Sequence, residues 1–313
     1  MGAVASAWCF VYAAQELRKD AISPNERQKM KLTKCFLCGE EKSDVIHKGT
    51  RGGYNHIDVL RCASCGLVRL SEVMDDVDDF YQASGMRDQL VDTPEHTRIT
   101  TRMDDERRFR FTENMIEGKD VLDFGCGDGG YLIRARKVAR SVQGIELEKA
   151  MRDGLRAEGL PCCASLDEVG RFDVITLFHV LEHLEAPLDY LEKFRQHLTP
   201  GGMVLIEVPN AEDALLSLYH SEAFADFTYW HCHIYLYNTV TLRRLAQKAG
   251  LKVKFMQQVQ RYPLANHLYW LSQDKPGGHQ AWVFLRDAAL DERYGDMLAK
   301  LGIADTILAG FTV

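Results

Sequence analysis

Nine cysteines and eleven histidines lie along this 313-residue chain, and some of them stand at spacings that chemistry uses. Cys35-Phe36-Leu37-Cys38-Gly39 and Cys62-Ala63-Ser64-Cys65-Gly66 are two Cys-x-x-Cys knuckles, each closed by a glycine, with 23 residues between them. Each knuckle puts two sulfurs on one turn. Four thiolates at Cys35, Cys38, Cys62 and Cys65 make a tetrahedral zinc site, one per chain, and a structural one because no coordination position is left for a substrate. Disulfides and redox pairs are the competing uses of these residues. The paired glycine-ended knuckles and the lack of a secretion signal argue against both. The histidines form two groups, His179 with His183 and His231 with His233, the second group close to Tyr229. An imidazole titrates near neutral pH, so it can take a proton from a hydroxyl nucleophile. A satisfied structural histidine is the alternative at every one of these positions. The last group is a glycine-rich run, Gly125-Cys126-Gly127-Asp128-Gly129-Gly130, framed by Asp123 and Glu146.

These residues need elements to hold them. Val121 to Phe124 suits a buried parallel strand, and Tyr131 to Ala135 reads as the start of a helix. Strand, glycine turn and helix N-terminus together make a site for a nucleotide-class cofactor. Gly125, Gly127 and Gly130 satisfy G-x-G-x-x-G, and Gly125, Gly127 and Gly129 satisfy G-x-G-x-G, so spacing alone leaves a dinucleotide open. A P-loop is excluded, because no Gly-Lys-Ser/Thr follows. Ser141 to Glu146 reads as a short strand ending in a carboxylate, 21 residues past Gly125. That is close to the roughly 20-residue offset of a ribose-binding acid. Leu160 to Ala164 is the expected third strand, Phe172 to Phe178 the fourth and Met203 to Val208 the fifth. A sixth begins at Leu251, and Asp305 to Val313 reads as the last. Arg98 to Met115 reads as a helix leading into this alternation.

The string Asp123-Phe124-Gly125-Cys126-Gly127-Asp128-Gly129-Gly130 resembles motif I of the class I S-adenosylmethionine-dependent methyltransferases. Phe178-His179-Val180-Leu181-Glu182-His183-Leu184 resembles the segment after the fourth strand in a large branch of that family, and Pro200-Gly201-Gly202 the segment before the fifth. The likeness covers about residues 112 to 255. It implies a doubly wound, mostly parallel seven-stranded α/β sheet, with an antiparallel last strand between the fifth and sixth. It also implies S-adenosyl-L-methionine as cofactor. Asp123, Gly125, Cys126 and Gly127 would serve its methionine part, Glu146 and Leu147 its ribose, and Ser165 and Leu166 its adenine. Phe178 and His179 would stand at the methyl end. Tyr229-Trp230-His231-Cys232-His233-Ile234-Tyr235 resembles the Glu-His segment of sugar C-methyltransferases that carry the same amino-terminal zinc module. Cys232 occupies the Glu position here, which favours O-methylation of a sugar hydroxyl. His179, His231, His233 and Tyr229 are the candidate catalytic residues.

The expected division is an extension over residues 1–30, poorly ordered, a zinc ribbon over 31–70 and a connector with a helix over 71–111. The methyltransferase domain follows over 112–313, with an insertion at about 262–303. The net charge is −7, which counts against a polyanionic partner, although residues 31–70 carry seven basic against four acidic residues. A sugar, nucleotide-sugar or glycan acceptor is the first expectation. Another small metabolite, RNA gripped by the ribbon, and a cofactor-binding module without turnover follow it. No apolar run reaches the ~18 residues of a membrane span. The apolar segment Gly2 to Ala14 lacks a basic flank, so a cytoplasmic protein is expected.

Overall fold

The computed structural model describes residues 29–74 and 94–313. Nearly all of the expected extension, residues 1–28, and the acidic connector from residue 75 onward lie outside the described residues.

The first strands are short: β1 (Lys29–Lys31), β2 (Ser43–His47), β3 (Val59–Cys62), β4 (Val68–Leu70) and β5 (Glu72–Met74). β2, β3 and β4 form an antiparallel ladder, and β1 pairs with β5. A helix, α1 (Pro94–Ile116), leads to β6 (Asp120–Phe124). Strand and helix then alternate through α2 (Gly130–Ala135), β7 (Ser141–Ile145), α3 (Lys149–Ala157), β8 (Cys162–Cys163), β9 (Phe172–Phe178), α4 (Pro187–Gln196) and β10 (Leu198–Pro209). Next come α5 (Ala214–Ser217), α6 (Glu222–Thr228), β11 (Tyr235–Leu236), α7 (Thr239–Lys248) and β12 (Lys252–Val259). Three helices, α8 (Leu264–Gln273), α9 (Gly278–Ala281) and α10 (Ala288–Leu301), precede β13 (Thr306–Thr312).

Seven strands form one sheet in the order β12-β13-β10-β9-β6-β7-β8. β13 runs antiparallel to both neighbours, and the other pairings are parallel. This is the expected doubly wound sheet. Its central strands read as near-continuous apolar runs because helices cover both faces. In β9, Val174, Ile175 and Leu177 are all buried. The chain leaves β6 toward β7 and β8, then returns to the other side of β6 as β9. Order reverses there, which opens a crevice at the carboxyl ends of β6 and β9.

Two strands differ from expectation. β8 spans only Cys162–Cys163. Pro161 has no N–H for a ladder, and the Leu160 N–H is spent on the Leu155 carbonyl at the end of α3. β10 is longer, reaching back through Pro200-Gly201-Gly202, where the register against β9 shifts between Leu198 and Met203.

Candidate active site

The glycine turn occupies the crevice. Gly125, Gly127 and Gly129 have φ of 74°, 53° and 72°, a left-handed path that strains any side chain. A Cβ at Gly125 would stand 2.6 Å from Val180 Cγ2, so the segment after β9 lies directly against the turn. Glu146 braces the other side. Its Oε2 accepts from the Gly127 N–H at 2.8 Å and its Oε1 from the Glu148 N–H at 2.8 Å. A carboxylate has about four acceptor sites, so bracing the turn and binding a diol are compatible uses. Leu147 leaves 40% of its surface exposed beside this acid. Ser165 accepts from the Asp167 N–H at 3.1 Å and so shapes the turn after β8, with Leu166 buried under it. Phe178 ends β9 between the Arg108 guanidinium, 4.9 Å above its ring, and the edge of Tyr131.

Asp123 and Cys126 lie deeper. The Asp123 carboxylate accepts from Thr176 Oγ1 at 2.6 Å. Burial pushes it up to about 7, against the Thr176 hydrogen bond and the Arg108 charge. Cys126 Sγ lies 3.8 Å from Cys162 Sγ and fills the space over Gly144. Both residues support the turn from beneath.

A buried charged network joins the ends of β9, β10 and β12. Glu207 is fully buried and binds Arg107 through both oxygens, at 2.8 and 2.9 Å, and Arg108 Nε at 2.9 Å. Burial alone would raise its pKa, but Arg108, His179 and Arg107 outweigh it and hold it well below the carboxylate range. Arg261, just after β12, pairs with Asp104 through Nε at 3.0 Å and through a second guanidinium nitrogen. These ion pairs dock α1, whose acids and arginines leave it no clean apolar stripe.

His179 stands at the centre. Its φ of 57° is a conformation rare for non-glycine residues and frequent at functional sites. Its N–H donates to the Glu207 carbonyl at 2.8 Å. Arg261 donates to its Nε2 at 3.1 Å, and Nδ1 faces Glu182 Oε1 at 3.3 Å. Nε2 also stands 3.3 Å from Glu207 Oε1, so it is held between a guanidinium donor and a carboxylate acceptor.

The other expected catalytic residues are placed elsewhere. The segment from Tyr229 to Ile234 is a turn, neither strand nor helix, wedged between the large sheet and the cysteine module. The two histidines therefore diverge. His231 stacks on Tyr54 at 4.1 Å, and its Nδ1 lies 3.3 Å from the Arg51 carbonyl. Tyr229 packs on His47, and burial pushes its hydroxyl up to about 12. His233 is buried beside His183, and burial with the His183 charge lowers it to about 3.

Of the four, only His179 lines the cleft. Asp213, Phe224 and Phe227 line it together with Tyr262, Asn266 and Trp270 from the inserted segment, and Trp270 packs on both Phe224 and Phe227 at 5.3 and 5.1 Å.

The four cysteines of the knuckles come together. Cys35 Sγ is 3.6 Å from Cys65 Sγ, Cys38 Sγ is 3.5 Å from Cys62 Sγ, and all four sulfurs lie within 4.8 Å of one another. A tetrahedron with Zn–S bonds of about 2.3 Å has edges of about 3.8 Å, so the donor set fits zinc. Gly39 and Gly66, at φ of 81° and 77°, return their N–H groups to the Cys35 and Cys62 carbonyls. The module is fused to the large domain. β4 pairs with β11, the Leu70 N–H donates to the Ile234 carbonyl at 3.0 Å, and Cys35, Leu37, Cys62 and Leu67 share a core with β9 and β10.

Arg107, Arg108, Glu182, Glu207 and Arg261 were not singled out from the sequence. The one available signal was Glu207, an acid inside the apolar run Met203 to Val208.

Comparison with known proteins agrees with this architecture. The family described as "Methyltransferase domain" matches residues 95–254, just over half of the chain. The ubiquinone biosynthesis O-methyltransferase of Thiobacillus denitrificans is 29% identical over 180 residues, covering 52% of this chain and 77% of that protein. The protein of the same name from Burkholderia pseudomallei is 26% identical over 175 residues, covering 51% and 75%. A methyltransferase structure from Archaeoglobus fulgidus covers 68% of this chain and 94% of its own at 17% identity. Its TM-score of 0.48 adds nothing to the strand order described above. The chain belongs to the methyltransferase-domain family and is an S-adenosylmethionine-dependent methyltransferase.

Proposed function

We propose that the protein methylates a hydroxyl on a small, ring-bearing acceptor, a sugar, nucleotide-sugar or glycan residue, with His179 as the general base. The observation that carries this reading is the cleft itself. His179 borders it just after β9, and aromatic and polar side chains both line it. Phe224, Phe227 and Trp270 form one aromatic cluster against which a ring can pack, while Asp213 and Asn266 supply polar groups for a polyhydroxylated ring.

When bound, S-adenosylmethionine supplies a methyl group on a sulfonium sulfur, activated for in-line displacement. The chain contributes position and proton handling. In this reading Gly125, Gly127, Glu146 and Leu147 hold the cofactor, with Ser165 and Leu166 at its adenine and Phe178 at its methyl end. Asp123 and Cys126 keep the turn in shape. In the Nδ1–H tautomer, Nε2 of His179 takes the acceptor proton and Glu182 faces the Nδ1–H side of the ring. Arg261 must yield its contact with Nε2 as the acceptor arrives. Tyr229, His231 and His233 hold the acceptor loop in place. The four thiolates bind one structural zinc, which fastens the ribbon to that loop.

A phenolic acceptor is the second reading. The names of the O-methyltransferase relatives and the aromatic character of the cleft favour it. A panel of sugar nucleotides, oligosaccharides, catechols and RNA, assayed with radiolabelled S-adenosylmethionine, separates the readings. Label on RNA alone would overturn the small-acceptor proposal. His179→Asn keeps a residue that tolerates positive φ, and should cut kcat by ~10²–10⁴-fold with cofactor affinity unchanged. Unchanged kcat would remove His179 as base.

A further inference from the structure

Behind His179 lies a group with an unmet requirement. Glu182 sits in the short helical turn Leu181–His183 after β9 and is fully buried. Oε2 has no hydrogen-bond partner, and Oε1 has only a long, poorly aligned contact with His179. Two imidazoles face it, His179 Nδ1 at 3.3 Å and His183 Nε2 at 3.9 Å from Oε1. His233 comes from the loop before β11 and closes the group. One ligand atom from each of Glu182, His183 and His233 lies within 4.8 Å of the others. A carboxylate taken out of water without donors costs several kcal/mol unless another charge compensates it.

The rings are held from behind. The Nδ1–H of His183 donates to the Cys232 carbonyl at 2.8 Å, because a carbonyl only accepts. Nε2 on the inner side is therefore the lone-pair atom. A backbone carbonyl behind an inward-facing imidazole is how proteins orient metal-ligating histidines and set their tautomer. His233 is likewise hydrogen-bonded to the backbone at Thr228.

We propose that Glu182, His183 and His233 bind a divalent first-row transition ion, a second metal site distinct from the four thiolates. Two imidazoles and a carboxylate suit zinc, iron or manganese, whereas calcium and magnesium prefer all-oxygen shells. With bonds of about 2.0–2.2 Å, tetrahedral ligand atoms stand about 3.4 Å apart. The three side chains need to draw together by little more than 1 Å at most. None of the three ligands lines the cleft, so the ion ties the turn after β9 to the loop before β11, directly behind His179.

The test uses the full chain, stripped with a chelator, reloaded with zinc and desalted. Zinc per chain is measured by mass spectrometry and the coordination shell by X-ray absorption. Two zinc ions per chain, with nitrogen and oxygen as well as sulfur in the shell, are expected. Glu182→Gln and His233→Ala should each fall to one zinc with a sulfur-only shell. A wild-type chain that holds one zinc with a sulfur-only shell, even in excess metal, overturns the proposal. So do folded variants that retain two zinc ions and the mixed shell. Where a variant does not fold, the wild-type shell decides alone.

Discussion

Replacing Glu146 with glutamine changes one atom, and the geometry makes the consequence calculable. The carboxylate accepts two backbone N–H groups, from Gly127 and from Glu148, each at 2.8 Å and each on a different oxygen. Glutamine has a single acceptor oxygen, so its NH₂ must face one of those donors or turn away. Either outcome loosens the turn proposed to hold the cofactor and removes the acceptor proposed for a ribose hydroxyl. Hydrogen bonds to a charged group are worth about 1.5–3 kcal/mol each. Loss of one, with partial loss of the brace, weakens cofactor binding by roughly 10- to 100-fold, or about 1.4–2.7 kcal/mol. Calorimetric titration with S-adenosylhomocysteine measures this without turnover, and thermal unfolding of the same sample checks that the variant is folded. A dissociation constant within threefold of the wild type in a folded Glu146→Gln protein would refute both the ribose assignment and the brace.

Gly125→Val puts a branched side chain 2.6 Å from Val180 at a φ of 74°. It should lower stability by about 1–3 kcal/mol and abolish cofactor binding; an unchanged melting temperature would contradict the packing described. Asp123→Asn tests the buried acid by its pH dependence. The folded pKa of about 7 lies above the unfolded value of about 3.9, so its stabilisation is full below about pH 4 and lost as pH rises through 7. The wild type should therefore lose stability relative to Asp123→Asn between about pH 4 and 7, by at most ~1.4 kcal/mol per unit, and the difference should level off above pH 8. Denaturant titrations at pH 5 and pH 8 with equal differences would show that Asp123 is ionised throughout.

The glycine turn and the acid that braces it were legible in the sequence because their logic is local. A strand, three glycines and an acid about twenty residues on obey rules of backbone conformation and spacing. Those rules place Gly125, Gly127 and Glu146 at one sheet edge before any contact is known. The cysteine knuckles are legible for the same reason, since Cys35 with Cys38 and Cys62 with Cys65 each form one turn. The acceptor side is not local. His179, Glu207, Arg107 and Arg261 come from β9, β10, α1 and the end of β12, and only the strand order makes them neighbours. Whether His231 and His233 would share a face depended on the backbone between them. Packing against Tyr54 on one side and His183 on the other turned them apart. Sequence by itself determined the fold class, the glycine turn and the four-cysteine cluster. Tertiary structure alone decided which histidine meets the cleft and which carboxylate lies buried behind it, because burial and long-range charge are properties of the assembled sheet.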